Sequence, residues 1–223
     1  MGFRVLVMGG TGQVGSALVR ALLAAGECTE VVMVNRRAVA AAADARLRQV
    51  VMDTGAPGFA GEIAALARAC AAQGGPLYAA SCIGIGAGSA RWSDEDIRKL
   101  EVGLVGAYAR GCLAAGVERF GLLSAAGSSA RSRIRYARIM GEKEDAVRGL
   151  GFRRLAIFRP GIIAGNAHTP GPLAWLGRLV PGPFGTIEQR DIGRAFVAEF
   201  LHGRDGIAIL DNAAMRQRAQ APG

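Results

Sequence analysis

The chain has 223 residues, of which 51% are hydrophobic, 6% aromatic and 20% charged, and its net charge is +9. That length suits one domain with a full core, and no apolar run approaches the roughly 20 residues of a membrane span. The charge does not indicate a nucleic-acid binder, because arginines are scattered along the whole chain, lysine occurs only at Lys99 and Lys143, and aromatics are too few for a base-stacking surface.

In chain order, an apolar strand at 3–8 runs straight into Gly9-Gly10-Thr11-Gly12-Gln13-Val14-Gly15. Glycines at 9, 12 and 15 allow a tight turn, close approach to a pyrophosphate, and a helix seated against its strand. An amphipathic helix at 14–25 follows and closes at Gly26, so its N-terminal N–H groups point at the phosphates of a dinucleotide. A second strand at 31–34 ends in Asn35-Arg36-Arg37. NAD binders place a carboxylate there for the ribose hydroxyls, whereas a guanidinium holds a 2′-phosphate. Arg36 and Arg37 therefore select NADP(H), against the plainer reading of two surface arginines in an arginine-rich chain. A third strand at 49–52 ends in Asp53, read either as an acceptor for the adenine amino group or as a turn former before Thr54-Gly55.

Further strands at 77–83, 119–123, 154–158 and 207–210 alternate with helices at 60–72, 94–115, 136–149 and 191–202. The longest helix opens on Ser93 with an acidic first turn, a good N-cap. Short, wholly apolar strands between helices predict a doubly wound α/β parallel sheet, a Rossmann fold, in a single domain over residues 1–223. The segment 161–185, rich in Gly and Pro, reads as a small irregular appendage on the substrate side, with one short helix around Leu173–Leu179. The polar tail 213–223 reads as frayed. Cys28, Cys70, Cys82 and Cys112 show no paired spacing and only two histidines exist, so no metal site is expected. The apolar run at 3–8 resembles a signal peptide only superficially, since it breaks at Gly9; with no membrane-length run either, a soluble, cytoplasmic protein with buried free thiols is expected.

Later landmarks are Cys82-Ile83-Gly84 at the end of the fourth strand and Ser124-Ala125-Ala126-Gly127 at the end of the fifth. Tyr136 then opens the next helix, and Arg159-Pro160-Gly161 ends the sixth strand. With the glycine turn, these resemble the short-chain dehydrogenase/reductase superfamily in its extended or atypical form, most closely the Tat-interacting oxidoreductase-like branch related to NAD-dependent epimerases and dehydratases. The resemblance covers nearly the whole chain. It implies that Tyr136 is the general acid of a Tyr-x-x-x-Lys motif, that Ser124 lies near the catalytic hydroxyl position, and that Asp53, the Cys82-Ile83-Gly84 backbone, Arg159 and Pro160 flank the cofactor.

The lysine of that motif is replaced by Met140, and Lys143 lies two helical turns from Tyr136, about 10 Å along the axis. A free tyrosine titrates near ~10, so it needs a nearby cation to work near neutrality. The family's asparagine in the helix after the fourth strand has no match at Leu100-Glu101-Val102. Tyr136 therefore has two readings, proton donor or mere lining of the nicotinamide end. Arg159 likewise reads as a cofactor neighbour or a structural ion-pair partner. The expected function is NADP(H)-dependent reduction of an unknown small carbonyl or similar substrate, by a monomer or homodimer. The alternative is an NADP(H)-binding regulatory or scaffold protein with little turnover.

Overall fold

The computed structural model describes residues 2–40, 43–85, 91–164 and 182–220. Seven parallel strands form the main sheet. They are β1 (Phe3–Met8), β2 (Cys28–Asn35), β3 (Leu47–Val51), β4 (Leu77–Ser81), β5 (Arg119–Leu123), β6 (Arg154–Phe158) and β9 (Gly206–Leu210). Their order is β3-β2-β1-β4-β5-β6-β9. The chain builds outward from β1 to β3 and then crosses back to place β4 on the other side of β1. That reversal opens a crevice beyond the carboxyl ends of β1 and β4, where doubly wound sheets bind ligands.

Alternation along β1 builds the layers. Phe3, Val5 and Val7 pack into one core with Leu18, Leu22, Ile192, Phe196 and Phe200. Leu6 and Met8 point into a second core with Phe59, Ile63, Tyr108, Phe120 and Val147. The first core lies under α1 (Gln13–Ala24), α6 (Gln189–His202) and α7 (Asn212–Ala219), and the second under α2 (Phe59–Ala71), α4 (Val105–Ala114) and α5 (Arg135–Arg148). A strand buried on both faces has no polar side, which is why these strands read as unbroken apolar runs.

Three expectations change. The helix expected over 94–115 is α3 (Asp94–Arg98), a π-helical segment at Lys99–Leu104, and then α4. Ser93 caps α3 as expected, accepting the Asp96 N–H at 3.0 Å. Two short strands, β7 (Ile162–Ala164) and β8 (Thr186–Glu188), pair in parallel and bracket the Gly/Pro-rich segment. Most of that segment, including the helix expected around Leu173–Leu179, lies outside the described residues.

The tail is not frayed through Ala219: α7 occupies it. Asp211 accepts the Ala214 N–H at 2.9 Å, and Asn212 and Met215 are fully buried. A side-chain cap and one buried apolar anchor outweigh the polar composition of the remaining turns. Asn212 also ties β7 to β8, accepting from Gly161 N at 3.0 Å and donating to Gly185 O at 2.7 Å.

Candidate nucleotide and reaction site

The predicted site residues follow the carboxyl ends of six neighbouring strands, so one edge of the sheet gathers them. At the end of β1, Gly9 has φ +82°, and a β-carbon there would lie 2.8 Å from the Cys82 carbonyl carbon. Gly15 is more constrained still, since its β-carbon would lie 2.0 Å from Gly9 O. Gly12 N donates to Gly9 O at 3.1 Å and closes the turn, and Ser16 N donates to Gly12 O at 2.8 Å to start α1. A β-carbon on Gly12 would meet only Gly9 O, at 3.4 Å. Gly9 and Gly15 thus serve the turn itself, while Gly12 leaves an open approach. The N-cap residue of α1, Gly12, supplies no side-chain cap. The first-turn N–H groups of the helix suit phosphate oxygens, and the cradle fits a dinucleotide. Thr11 is exposed and Gln13 half-buried at this opening. The Val14 side chain belongs to the core, so only its backbone can face a ligand.

At the end of β2, Asn35 is buried and donates through Nδ2 to Gln49 Oε1 at 3.0 Å. Gln49 in turn donates to Val39 O at 2.8 Å and accepts from Val39 N at 3.2 Å, bracing the segment that carries the arginines. Arg36 and Arg37 are exposed, and among the described residues neither makes an ion pair or a hydrogen bond. Asp53 is exposed beyond β3, where Oδ1 accepts from Gly55 N at 2.9 Å, so the turn-forming role is realised.

At the end of β4, Cys82 buries its side chain, and desolvation pushes its thiol up to about 12. Only the backbone of Cys82-Ile83-Gly84 is open to a ligand. Gly84 is exposed, and Gly86 lies outside the described residues. Behind this wall stands a pair that the sequence reading did not find. Glu101, in the π-helical segment, accepts from Ile85 N at 2.9 Å and from Lys143 Nζ at 2.8 Å. Lys143 Nζ is also 3.5 Å from Ile83 O. The signal was present, because Met140, Lys143 and Val147 share one helix face.

Tyr136 stands in the first turn of α5, packed against the buried cluster of Ile97, Ile139 and Met140, as are Ile85, Val102 and Ala125. Burial, and secondarily the charge of Glu101, push its phenol well above its ordinary value of 10. Among the described residues no hydrogen bond engages its hydroxyl. Met140 is 1% exposed beside Ile97 and Ile139, so the position of the family lysine is apolar core. Arg135 and Arg138, adjacent to the tyrosine in sequence, both pair with Asp94, and Arg98 holds Glu142 at 2.7 Å.

The ends of β5 and β6 meet at Glu144, which is 1% exposed and was also missed. Ser124 Oγ donates to Glu144 Oε1 at 2.6 Å. Arg159 holds the same carboxylate with two bonds, Nε at 2.8 Å and Nη2 at 2.6 Å, and Arg148 adds a third donor at 3.0 Å. The structure therefore realises the ion-pair reading of Arg159 and ties the Ser124 hydroxyl to an internal partner. Pro160 is buried, with its carbonyl accepting from Ala126 N at 2.8 Å. Among the described residues no His, Cys, Asp and Glu cluster could hold a metal, and no helix is long and apolar enough to cross a membrane.

Residues 5–129 match the model of the NAD dependent epimerase/dehydratase family. "Protein fmp52, mitochondrial" of Emericella nidulans is 31% identical over 188 residues, covering 83% of this chain and 77% of the relative. "Protein fmp52-1, mitochondrial" of Aspergillus terreus is 32% identical over 187 residues, covering 83% and 77%. Among solved structures, the oxidoreductase ylbE of Lactococcus lactis superposes with a TM-score of 0.68 at 15% identity, covering 97% of this chain and 95% of its own. WbmG of Bordetella bronchiseptica, solved in complex with NAD, gives 0.66 at 16% identity, covering 95% and 73%. These structures bear out the doubly wound fold.

The relatives also correct one expectation. They are named mitochondrial, which points away from a cytoplasmic location. Neither buried free thiols nor the lack of a membrane-length apolar run distinguishes one compartment from another, so those signals had no power to decide it. A nicotinamide dinucleotide is the cofactor that the family and the glycine cradle support. With the fold and 125 matched residues in agreement, the chain belongs to the NAD dependent epimerase/dehydratase family, within the short-chain dehydrogenase/reductase superfamily.

Proposed function

We propose that the chain is an NADP(H)-dependent oxidoreductase of the atypical short-chain class that reduces a small carbonyl substrate, with Tyr136 as the proton donor. The observation that carries this reading is the contrast along the sheet edge. Among the described residues Arg36, Arg37 and the Tyr136 hydroxyl have no hydrogen-bond or ion-pair partner, while Arg135, Arg138 and Arg159 nearby are paired with carboxylates. Arg36 and Arg37 are placed to hold a 2′-phosphate that a carboxylate at the end of β2 would repel.

When bound, a reduced nicotinamide supplies hydride to the carbonyl carbon. Tyr136 Oη gives its proton to the carbonyl oxygen, so the products are an alcohol and a tyrosinate that water reprotonates. A phenol held well above 10 stays protonated and remains a donor throughout the physiological range. It is a weak acid for the same reason, so proton transfer to the carbonyl oxygen is slow.

Tyr136→Phe is expected to lower NADPH-dependent reduction of a carbonyl panel by about 100-fold or more, with NADPH affinity unchanged. In the parent protein, the loss of rate from tyrosine deprotonation should appear only above pH 10. Equal turnover by the two proteins would remove Tyr136 from the reaction. A second reading, cofactor binding with little turnover, is favoured by one observation: Met140 is fully buried among isoleucines where a lysine would tune the tyrosine.

A further inference from the structure

We infer that the buried Glu101–Lys143 ion pair is a positioning device for the nucleotide wall, fixing the backbone of Ile83–Ile85 against the glycine turn. The inference rests on the reading that this wall lies beside a bound nicotinamide dinucleotide.

The pair is almost completely withdrawn from water, with side chains 1% and 0% exposed. Removing two charges from water costs several kcal/mol per ion, and apolar side chains of similar volume often pack as stably. A pair placed so deeply is therefore better explained by what it holds. Each partner holds the wall. Glu101 takes the Ile85 N–H with one carboxylate oxygen and Lys143 with the other. Lys143 reaches the Ile83 carbonyl with the same ammonium group.

Residues 82–85 are in neither helix nor strand. Their polar backbone groups need side chains to satisfy them, and an unpaired buried one is costly. Gly9 packs so closely that a β-carbon would lie 2.8 Å from the Ile83 nitrogen. The glycine turn thus abuts the Cys82–Ile83 peptide, and the ion pair holds the two peptides that follow it through Ile83 O and Ile85 N. Glu101 lies within the π-helical segment, a departure from regular helix that frequently marks functional positions. The other charges on these elements are engaged elsewhere, Arg98 with Glu142 and Arg138 with Asp94. Lys143 is thereby a positioning residue, a different role from that of a lysine beside the tyrosine hydroxyl.

The test needs a variant that folds. Lys143→Met alone strands a buried carboxylate, so the informative change is the neutral double variant Glu101→Gln/Lys143→Met, which keeps an acceptor for Ile85 N. A matched control is Arg154→Met/Glu199→Gln. That pair is also buried, at 7% and 2%, but it joins the start of β6 to the last turn of α6 at the far edge of the sheet, where Arg218 also reaches Glu199.

NADPH and NADH are titrated well below both melting temperatures, and amide hydrogen exchange is followed across residues 82–85. We expect the first variant to bind NADPH about tenfold more weakly, with faster exchange in the wall. The control should stay within about twofold of the parent protein despite a comparable thermal loss. Unchanged affinity in the first variant, or an equal loss in the control, overturns the positioning role while leaving cofactor binding intact. A parent protein that binds neither dinucleotide overturns the underlying reading together with this one.

Discussion

The two halves of the sheet edge treat their polar groups in opposite ways. On the β1–β3 side, Arg36 and Arg37 project from a segment braced by Asn35 and Gln49 and meet no internal partner among the described residues. On the β4–β6 side, Ser124, Arg159 and Arg148 converge on one buried carboxylate, and Lys143 is spent on Glu101. An exposed guanidinium costs little to leave open, and it is then free to meet a phosphate. A buried one must be paired where it stands. The nucleotide half is thus built to receive a ligand, and most of the charge in the reaction half is built to hold the protein together. Within that second half the Tyr136 hydroxyl has no partner among the described residues.

The largest effect should come from breaking the turn that both halves share. In Gly15→Ala the new methyl would sit 2.0 Å from Gly9 O, so the turn must open before α1 can pack. Affinity for NADPH and NADH should fall together by at least about 100-fold. Far-ultraviolet circular dichroism below the melting transition would show the helices intact. A variant that binds both dinucleotides normally would mean that the turn does not form the phosphate cradle.

The arginine pair gives the next effect, and it separates the halves. Arg36→Ala/Arg37→Ala should lose about 10- to 100-fold in NADPH affinity, the scale of hydrogen bonds to a charged group. NADH affinity should stay within about twofold. Because these arginines are exposed, added salt should shrink the parent protein's preference for NADPH. An equal loss for both dinucleotides would show that the pair does not read the 2′-phosphate.

These two tests probe features that local sequence states directly. The glycine turn was legible because each glycine answers a neighbour a few residues away or a strand already marked by apolar residues. The arginine pair was legible because its position relative to the turn follows from strand and helix lengths. Glu101, Lys143 and Glu144 were not, since their partners other than Arg148 lie 15 to 60 residues distant and become neighbours only when α5 docks beside the ends of β4–β6. In sequence, Glu142-Lys143-Glu144 looks like a solvated charge run. Only Glu142 behaves so, with a carboxyl held low by Arg98. The tail failed for a related reason, because composition registered its polar residues and missed the Asp211 cap and the Met215 anchor.

The smallest predicted effect decides whether Asp53 belongs to the receiving half or only to its scaffold. Oδ1 already closes the turn to Gly55, and among the described residues nothing engages Oδ2. Asp53→Asn keeps an oxygen for Gly55 but turns an N–H toward the place where an adenine amino group would donate. If Asp53 reads adenine, NADPH and NADH should weaken equally, by about three- to tenfold, with the melting temperature unchanged. Equality matters, because the adenine is common to both dinucleotides while the 2′-phosphate is not. If the carboxylate only forms the turn, the asparagine preserves that bond and neither affinity moves. Asp53 would then be a structural residue at the rim of the nucleotide half, and the open polar groups there would begin at Arg36.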